Sequence, residues 1–236
     1  GKLITHDNLY IDINLAADTC TSLIVDKQLG GKYRAWAITA AFGDNLTEVA
    51  LKLGAESGYA EKQLNILKKL GIYLNYNGYG ASVDDLFFHP AELFKKLHVF
   101  STPFEFLDND HSTFETLADG YQQDMSLAER APIIHEAKYS TIVQLPNEKW
   151  ARRVSGVFGN ELANRYPDRA HAIIIEKQDA SYVVSVRSPL NRKFGADELA
   201  SQFPTGGGRK SAAGINRLPA EMLGKFIDEF GKKYLG

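Results

Sequence analysis

Gly206-Gly-Gly-Arg-Lys-Ser-Ala-Ala-Gly214 is the stretch on which the reading of this chain turns. Three consecutive glycines open backbone conformations that are closed to other residues. They also let main-chain N–H groups approach an anion closely. Arg209 and Lys210 follow at once. A guanidinium can grip phosphate through two donors, and an ammonium acts as a point charge. Ala212, Ala213 and Gly214 are small enough for tight packing behind such a loop. The spacing fits neither a P-loop nor G-x-G-x-x-G. From the residues alone two readings stand: a phosphate-binding loop, and a flexible turn between a helix and a strand.

The residues on the N-terminal side bear on that choice. Ser181-Tyr-Val-Val-Ser-Val-Arg187 is β-branched and aromatic, which predicts a strand. Arg187 and Ser188 fall at its end, where ligand-facing residues sit in α/β sheets. Between Arg187 and Arg217 there are six basic residues, Arg187, Arg192, Lys193, Arg209, Lys210 and Arg217, against two acidic ones, Asp197 and Glu198. In a chain of net charge -2 this is a local basic patch. A solvated basic face is the alternative. The overall balance argues against coating duplex nucleic acid, which takes a strongly basic protein. It leaves room for a site that holds a short or single phosphorylated ligand.

The order of these features resembles a known family. A strand ending in Ser185-Val-Arg187-Ser188, then Ala196-Asp-Glu-Leu-Ala200, then Gly206 to Gly214, is similar to the DHHA1 domain. That domain forms the C-terminal half of DHH-family phosphoesterases, among them oligoribonuclease-like enzymes, exopolyphosphatase relatives, cyclic-dinucleotide phosphodiesterases and RecJ-type nucleases. The resemblance covers roughly the last hundred residues well and the first half more weakly. Leu9–Lys27 resembles the strand and helix after the family's Asp-His-His motif. Ala40-Ala-Phe-Gly-Asp44 resembles the segment with its last metal-coordinating Asp.

The resemblance implies an α/β fold. Residues 1–130 would be the remainder of a Rossmann-like DHH domain with linker helices. Residues 131–236 would be a DHHA1 substrate-binding domain with a small mixed β-sheet and helices. It implies a manganese-dependent phosphoesterase acting on a nucleotide, short oligonucleotide or polyphosphate. Arg187, Ser188, Gly206, Gly207, Gly208, Arg209 and Lys210 would bind the phosphate end, and Asp44 would be a metal ligand. Hard oxygen ligands with His suit Mn2+, and two metals would activate water and clamp the phosphoryl oxygens. The partner would be a phosphorylated small molecule or short nucleic acid.

There are departures from the pattern. No Asp-His-His occurs in the chain, so the catalytic motifs are expected upstream of Gly1 and the chain as given is expected to be incomplete for catalysis. Arg209 stands where the phosphoesterases usually carry His. Arg keeps the cation but neither titrates near neutral pH nor ligates metal readily. In this it resembles the related C-terminal domain of alanyl-tRNA synthetase. The alternative function is a non-catalytic nucleotide- or RNA-binding module of DHHA1 type.

The rest of the chain reads as helices, then a mixed unit. A short strand is expected at Leu9–Ile13 and a helix from Asn14 to Leu29, stopped by Gly30-Gly31. Tyr33–Phe42 reads as a buried helix, followed by helices at Thr47–Leu53 and Tyr59–Leu70. Ile72–Gly80, rich in Asn, Gly and Tyr, reads as a loop that could stack a base or simply turn. Pro90 opens a helix to Leu97. Ser112-Thr-Phe-Glu115 reads as a capping box opening a helix to about Ala131. Beyond Pro132 come a strand (Ile134–Leu145), a helix (Glu148–Arg165), two strands about a turn at Gln178-Asp179-Ala180, a short helix, the glycine loop, a strand near Ala213–Asn216 and a closing helix. That last helix carries Met222, Leu223, Phe226, Ile227 and Phe230 on one face, which could serve a homodimer interface.

With 44% hydrophobic and 24% charged residues, the composition is that of a globular protein. No apolar run is long enough to span a bilayer, so a cytoplasmic location and no membrane partner are expected. Cys20 is the single cysteine, which excludes an internal disulfide. It reads as a packed small hydrophobe.

Overall fold

The computed structural model describes residues 6, 8, 9, 11–14, 16 and 18–235. Among these it forms ten α-helices and one six-stranded mixed sheet. The chain divides into two compact units, Gly1–Gly78 with Phe88–Ala118, and Tyr79–Phe87 with Asp119–Gly236. The α/β class expected from the sequence holds.

The first unit is helical among its described residues. It contains α1 (Thr21–Gln28), α2 (Arg34–Gly43), α3 (Thr47–Glu56), α4 (Glu61–Tyr76), α5 (Pro90–Leu97), α6 (Pro103–Asn109) and the start of α7 (His111–Glu129). The strand expected at Leu9–Ile13 does not form at Leu9 or at 11–13, and the first helix begins at Thr21, not Asn14. Tyr10, Leu15 and Ala17, part of those expectations, lie outside the described residues. Gly30 and Gly31 both take positive φ and end α1. Ile38, Ala41, Phe42, Ala50, Leu64 and Leu67 build the core. Helices α2 and α4 cross with little between them, because a Cβ on Gly71 would strike the Thr39 carbonyl.

Helix α4 runs through to Tyr76, so most of the loop expected over Ile72–Gly80 is helix. Its Asn and Tyr residues keep helical spacing, and Tyr73 and Tyr76 are buried. The start of α7 differs too. Asp110, not Ser112, caps it, its carboxylate accepting from Thr113 N (3.3 Å), Thr113 Oγ1 (2.8 Å) and Ser112 Oγ (3.0 Å). Thr102 caps α6, with Pro103 in the first turn.

The second unit holds the sheet, in the order β1-β2-β3-β4-β6-β5. The strands are β1 (Ile133–Ala137), β2 (Ser140–Leu145), β3 (Ala170–Glu176), β4 (Tyr182–Arg187), β5 (Gly206–Arg209) and β6 (Ala212–Leu218). Only β2 and β3 run parallel, joined by the crossover helix α8 (Lys149–Arg165). The single strand expected over Ile134–Leu145 is a hairpin, turning at Lys138-Tyr139. The triple glycine is not a loop: Gly206–Arg209 is β5, paired antiparallel with β6.

One face of the sheet is apolar. Ile142, Ala172, Ile174, Val184, Val186, Ala213 and Ile215 pack under α9 (Ala196–Ala200) and α10 (Leu223–Lys233). Phe226 and Phe230 of α10 are fully buried there, each contributing about 1.5–3 kcal/mol. The apolar face of the closing helix thus covers the unit's own core. Gly206 and Gly208 point to this side. A Cβ on Gly206 would run into the Ala200 carbonyl, and one on Gly208, at φ 151°, would meet the Ala213 backbone. Gly207 points to the opposite face and has open space above it.

A paired substitution separates these roles. Gly206→Ala should lower unfolding stability by about 3 kcal/mol, since it overpacks a backbone contact. Gly207→Ala should stay within about 0.5 kcal/mol of the parent. Urea denaturation of both variants checks this, and equal losses would contradict the packing account.

Candidate functional site: an unpaired guanidinium beside a bare glycine floor

The second face of the sheet carries the polar groups. Period-2 alternation places Val183, Ser185 and Arg187 of β4 on it. With them stand Ala212 and Gly214 of β6, and Gly207 and Arg209 of β5. The ladders align Ser185 with Gly214 and Gly214 with Gly207, and Arg187 with Ala212 and Ala212 with Arg209. Helix α8 covers the β3 and β4 part of this face. Beyond it Gly214 and Gly207 contribute no side chain to the floor, and the space above Gly207 is open.

Arg187 lies at the margin between helix and floor, and it is half-buried. Gly156 and Gly159 of α8 lie against it. A Cβ on Gly159 would stand 3.7 Å from Arg187 Cγ, an ordinary contact distance. The guanidinium donates from Nε to Asn160 Oδ1 (2.7 Å) and from Nη1 to Ser185 Oγ (3.0 Å) and the Val186 carbonyl (3.1 Å). Nη2 makes a long contact with the Gly156 carbonyl (3.5 Å). All these acceptors are neutral, and among the described residues no carboxylate pairs with Arg187. Burial draws its pKa below the ordinary arginine value, and the nearby Tyr79 phenol acts the other way. Arginine still remains charged. A cation set into a protein face without a counter-charge is costly, and the cost falls when an anion arrives.

The two α8 arginines near it are neutralised. Arg152 donates from Nε and Nη2 to both oxygens of Asp85 (2.8 and 2.6 Å). Arg153 does the same to Asp124 (2.7 and 3.0 Å) and bonds the Asp85 carbonyl (2.6 Å). Its guanidinium also sits over the Phe87 ring, 4.1 Å from the centroid. Together they fix the Tyr79–Phe87 segment to α8. Along the groove from Arg187, a cleft of about 720 Å³ opens between that segment, α8 and the β3–β4 end. Its floor is Ile175 and Val183, and Ser155, Arg152 and Lys177 line its sides.

The residues expected to bind phosphate are distributed as follows. Arg187, Gly207 and Arg209 share the open face. Gly206 and Gly208 face the core. Ser188 is buried, its hydroxyl donating to the Ser211 carbonyl (3.1 Å). Lys210 is exposed in the β5–β6 turn. Asn160, Ser185 and Gly156, which orient Arg187, were not expected as site residues.

Asp44 belongs to the first unit, where it is exposed at the C-terminus of α2. It lies beside the Cys20 thiol, whose pKa is raised by burial and then by this carboxylate. Among the described residues no group of three or more His, Cys, Asp or Glu could hold an ion. Asp44 with one thiol does not fit a manganese site.

No family model matches the sequence, and no curated protein matches it. Solved structures do. The DHH domain of a member of the s1p family of ribosomal proteins superposes with a TM-score of 0.53 at 11% identity, over 89% of this chain and 51% of that one. The chain has a DHH-type fold. It spans about half the length of that structure. A pGpG-specific phosphodiesterase, PggH from Vibrio cholerae (TM-score 0.47, 11% identity, 78% of this chain and 73% of that one), superposes too loosely to carry an argument. So does an exopolyphosphatase-related protein from Bacteroides fragilis (0.38, 16%, 80% and 55%). No helix among the described residues is long and apolar enough to cross a membrane.

The Asp85–Arg152 pair gives a pH prediction. The guanidinium lowers the Asp85 pKa from 3.8 to about 2. A depressed folded pKa adds stability that is present above the unfolded value and lost as pH falls through the folded one. The second unit should therefore weaken between about pH 4 and pH 2, the window these two values set. Asp85→Asn should flatten that part of the stability–pH curve, and an unchanged curve would contradict the pairing.

Proposed function

We propose that this chain provides the phosphate-binding part of a DHH-type phosphoesterase acting on a nucleotide, short oligonucleotide or polyphosphate. Residues 131–236 would be its DHHA1 substrate-binding domain. One observation carries the reading: among the described residues the guanidinium of Arg187 is held by neutral oxygens, next to a floor of Gly207 and Gly214. A terminal phosphate laid on that floor would take Arg187 as its charge partner, with Arg209 and Lys210 at its outer edge. Charge-assisted bonds of this kind are about twice as strong as neutral ones. Ser188 supports the β5–β6 turn from below, and the three glycines give the strand its close fit. The described residues make no metal site, so no hydrolytic step is assigned to them. Manganese dependence of the whole protein, which the family resemblance implies, stays part of the proposal.

The test is calorimetric titration with AMP. Arg187→Met should weaken binding at least about tenfold, the loss expected from one charged hydrogen-bonding group. The same variant should unfold no earlier than the parent, because an apolar side chain replaces an unpaired cation. Unchanged affinity together with lost stability would make Arg187 a structural residue and sink the proposal. Binding that survives EDTA in a protein without phosphoesterase activity would favour the non-catalytic module.

A further inference from the structure

The open end of the same face carries a second group of cations. The β4 strand runs out at Arg187, and the loop 189–195 that follows lies against the β5–β6 turn. Ala196 N donates to the Lys210 carbonyl (3.2 Å), and Ser188 N to that of Ser211 (3.1 Å). Arg192, Lys193 and Phe194 in this loop are all exposed. Neither Arg192 nor Lys193 has a carboxylate partner among the described residues. The nearby acids are otherwise engaged. Glu198 pairs with Lys233, and Asp197 accepts from the Glu198 backbone N–H (2.9 Å). Phe194 is 37% exposed, and the Arg192 guanidinium lies over its ring, 5.3 Å from the centroid. A flat guanidinium on a flat ring is a stacking platform for a nucleobase.

We infer that the Arg192-Lys193-Phe194 loop is a docking strip for single-stranded nucleic acid, so that the substrate is an oligonucleotide longer than a dinucleotide. The inference rests on the phosphate reading of Arg187. With the terminal phosphate on the glycine floor, the strand leaves past Arg209 and Lys210 and reaches the loop. Cations there follow its backbone and Phe194 with Arg192 stacks a base, the combination by which proteins hold single strands without sequence preference. Polyphosphate would use the cations and ignore the ring. Duplex nucleic acid offers no free base face, so the strip favours single strands.

The experiment is fluorescence anisotropy on the full chain with oligouridylates, from dinucleotide to octanucleotide. Three variants accompany the parent: Phe194→Ala, Phe194→Tyr, and Arg192→Ala with Lys193→Ala. The parent should bind the longest probe about tenfold tighter than the dinucleotide, the size of one stacked base and its phosphates. Phe194→Ala and the double variant should lose this gain, and Phe194→Tyr should keep it. AMP affinity should be the same in all four proteins. If AMP binds but affinity does not rise with length, the strip is wrong and the Arg187 site stands. If neither AMP nor any oligonucleotide binds, both fail. If polyphosphate of matched charge competes equally and Phe194→Ala changes nothing, the partner is not nucleic acid.

Discussion

Arg187 is held in place by an amide, a hydroxyl and backbone carbonyls, and among the described residues by no carboxylate. Its position is therefore fixed while its charge stays available. Much of the second unit follows from meeting that condition. Helix α8 must approach the sheet closely enough for Asn160 to reach Nε. Ser185, two residues along β4, must present its hydroxyl on the same face, which strand alternation ensures. Asp85 and Asp124 neutralise the neighbouring Arg152 and Arg153. The result is a guanidinium held without a counter-charge among the described residues, beside a floor of glycine.

The glycines contribute in two ways. Gly206 and Gly208 let an edge strand lie directly on α9 and on the β6 backbone. Gly207 and Gly214 leave the other face of the same strands bare. A motif read as a loop for anions is thus a strand with a packing side and an open side. Only the open side stands beside Arg187. The exposed cations of the 189–195 loop extend this polarity past the end of the sheet, and the apolar face under α10 stays closed.

The sequence made much of the second unit legible. β-branched runs and flanking turns marked β3, β4 and α8 to within a residue or so, because alternation and capping act locally. The errors came where tertiary contacts override local cues. Asn75, Tyr76 and the residues before them looked like a turn, yet buried Tyr73 and Tyr76 keep α4 going. The Ile134–Leu145 run hid a hairpin because Lys138-Tyr139 lacks a glycine signal. The glycine triplet looked like a loop because partners 200 to 215 are needed to see why a strand there must lack Cβ atoms. Arg187 was legible as a strand-end cation. Its lack of a counter-charge was not, since pairing depends on where Asn160 and Ser185 stand and on Asp85 and Asp124 being taken by Arg152 and Arg153. Asp44 followed from resemblance alone, and among the described residues it belongs to no cluster of three or more metal-ligating groups.

The most direct test of the account is a crystal structure of the chain with AMP bound. The account predicts phosphate oxygens within hydrogen-bond distance of the Arg187 guanidinium, above Gly207 and Gly214, with Asn160 and Ser185 still holding the arginine. A phosphate seated elsewhere, with Arg187 touching only its present protein partners, would contradict it.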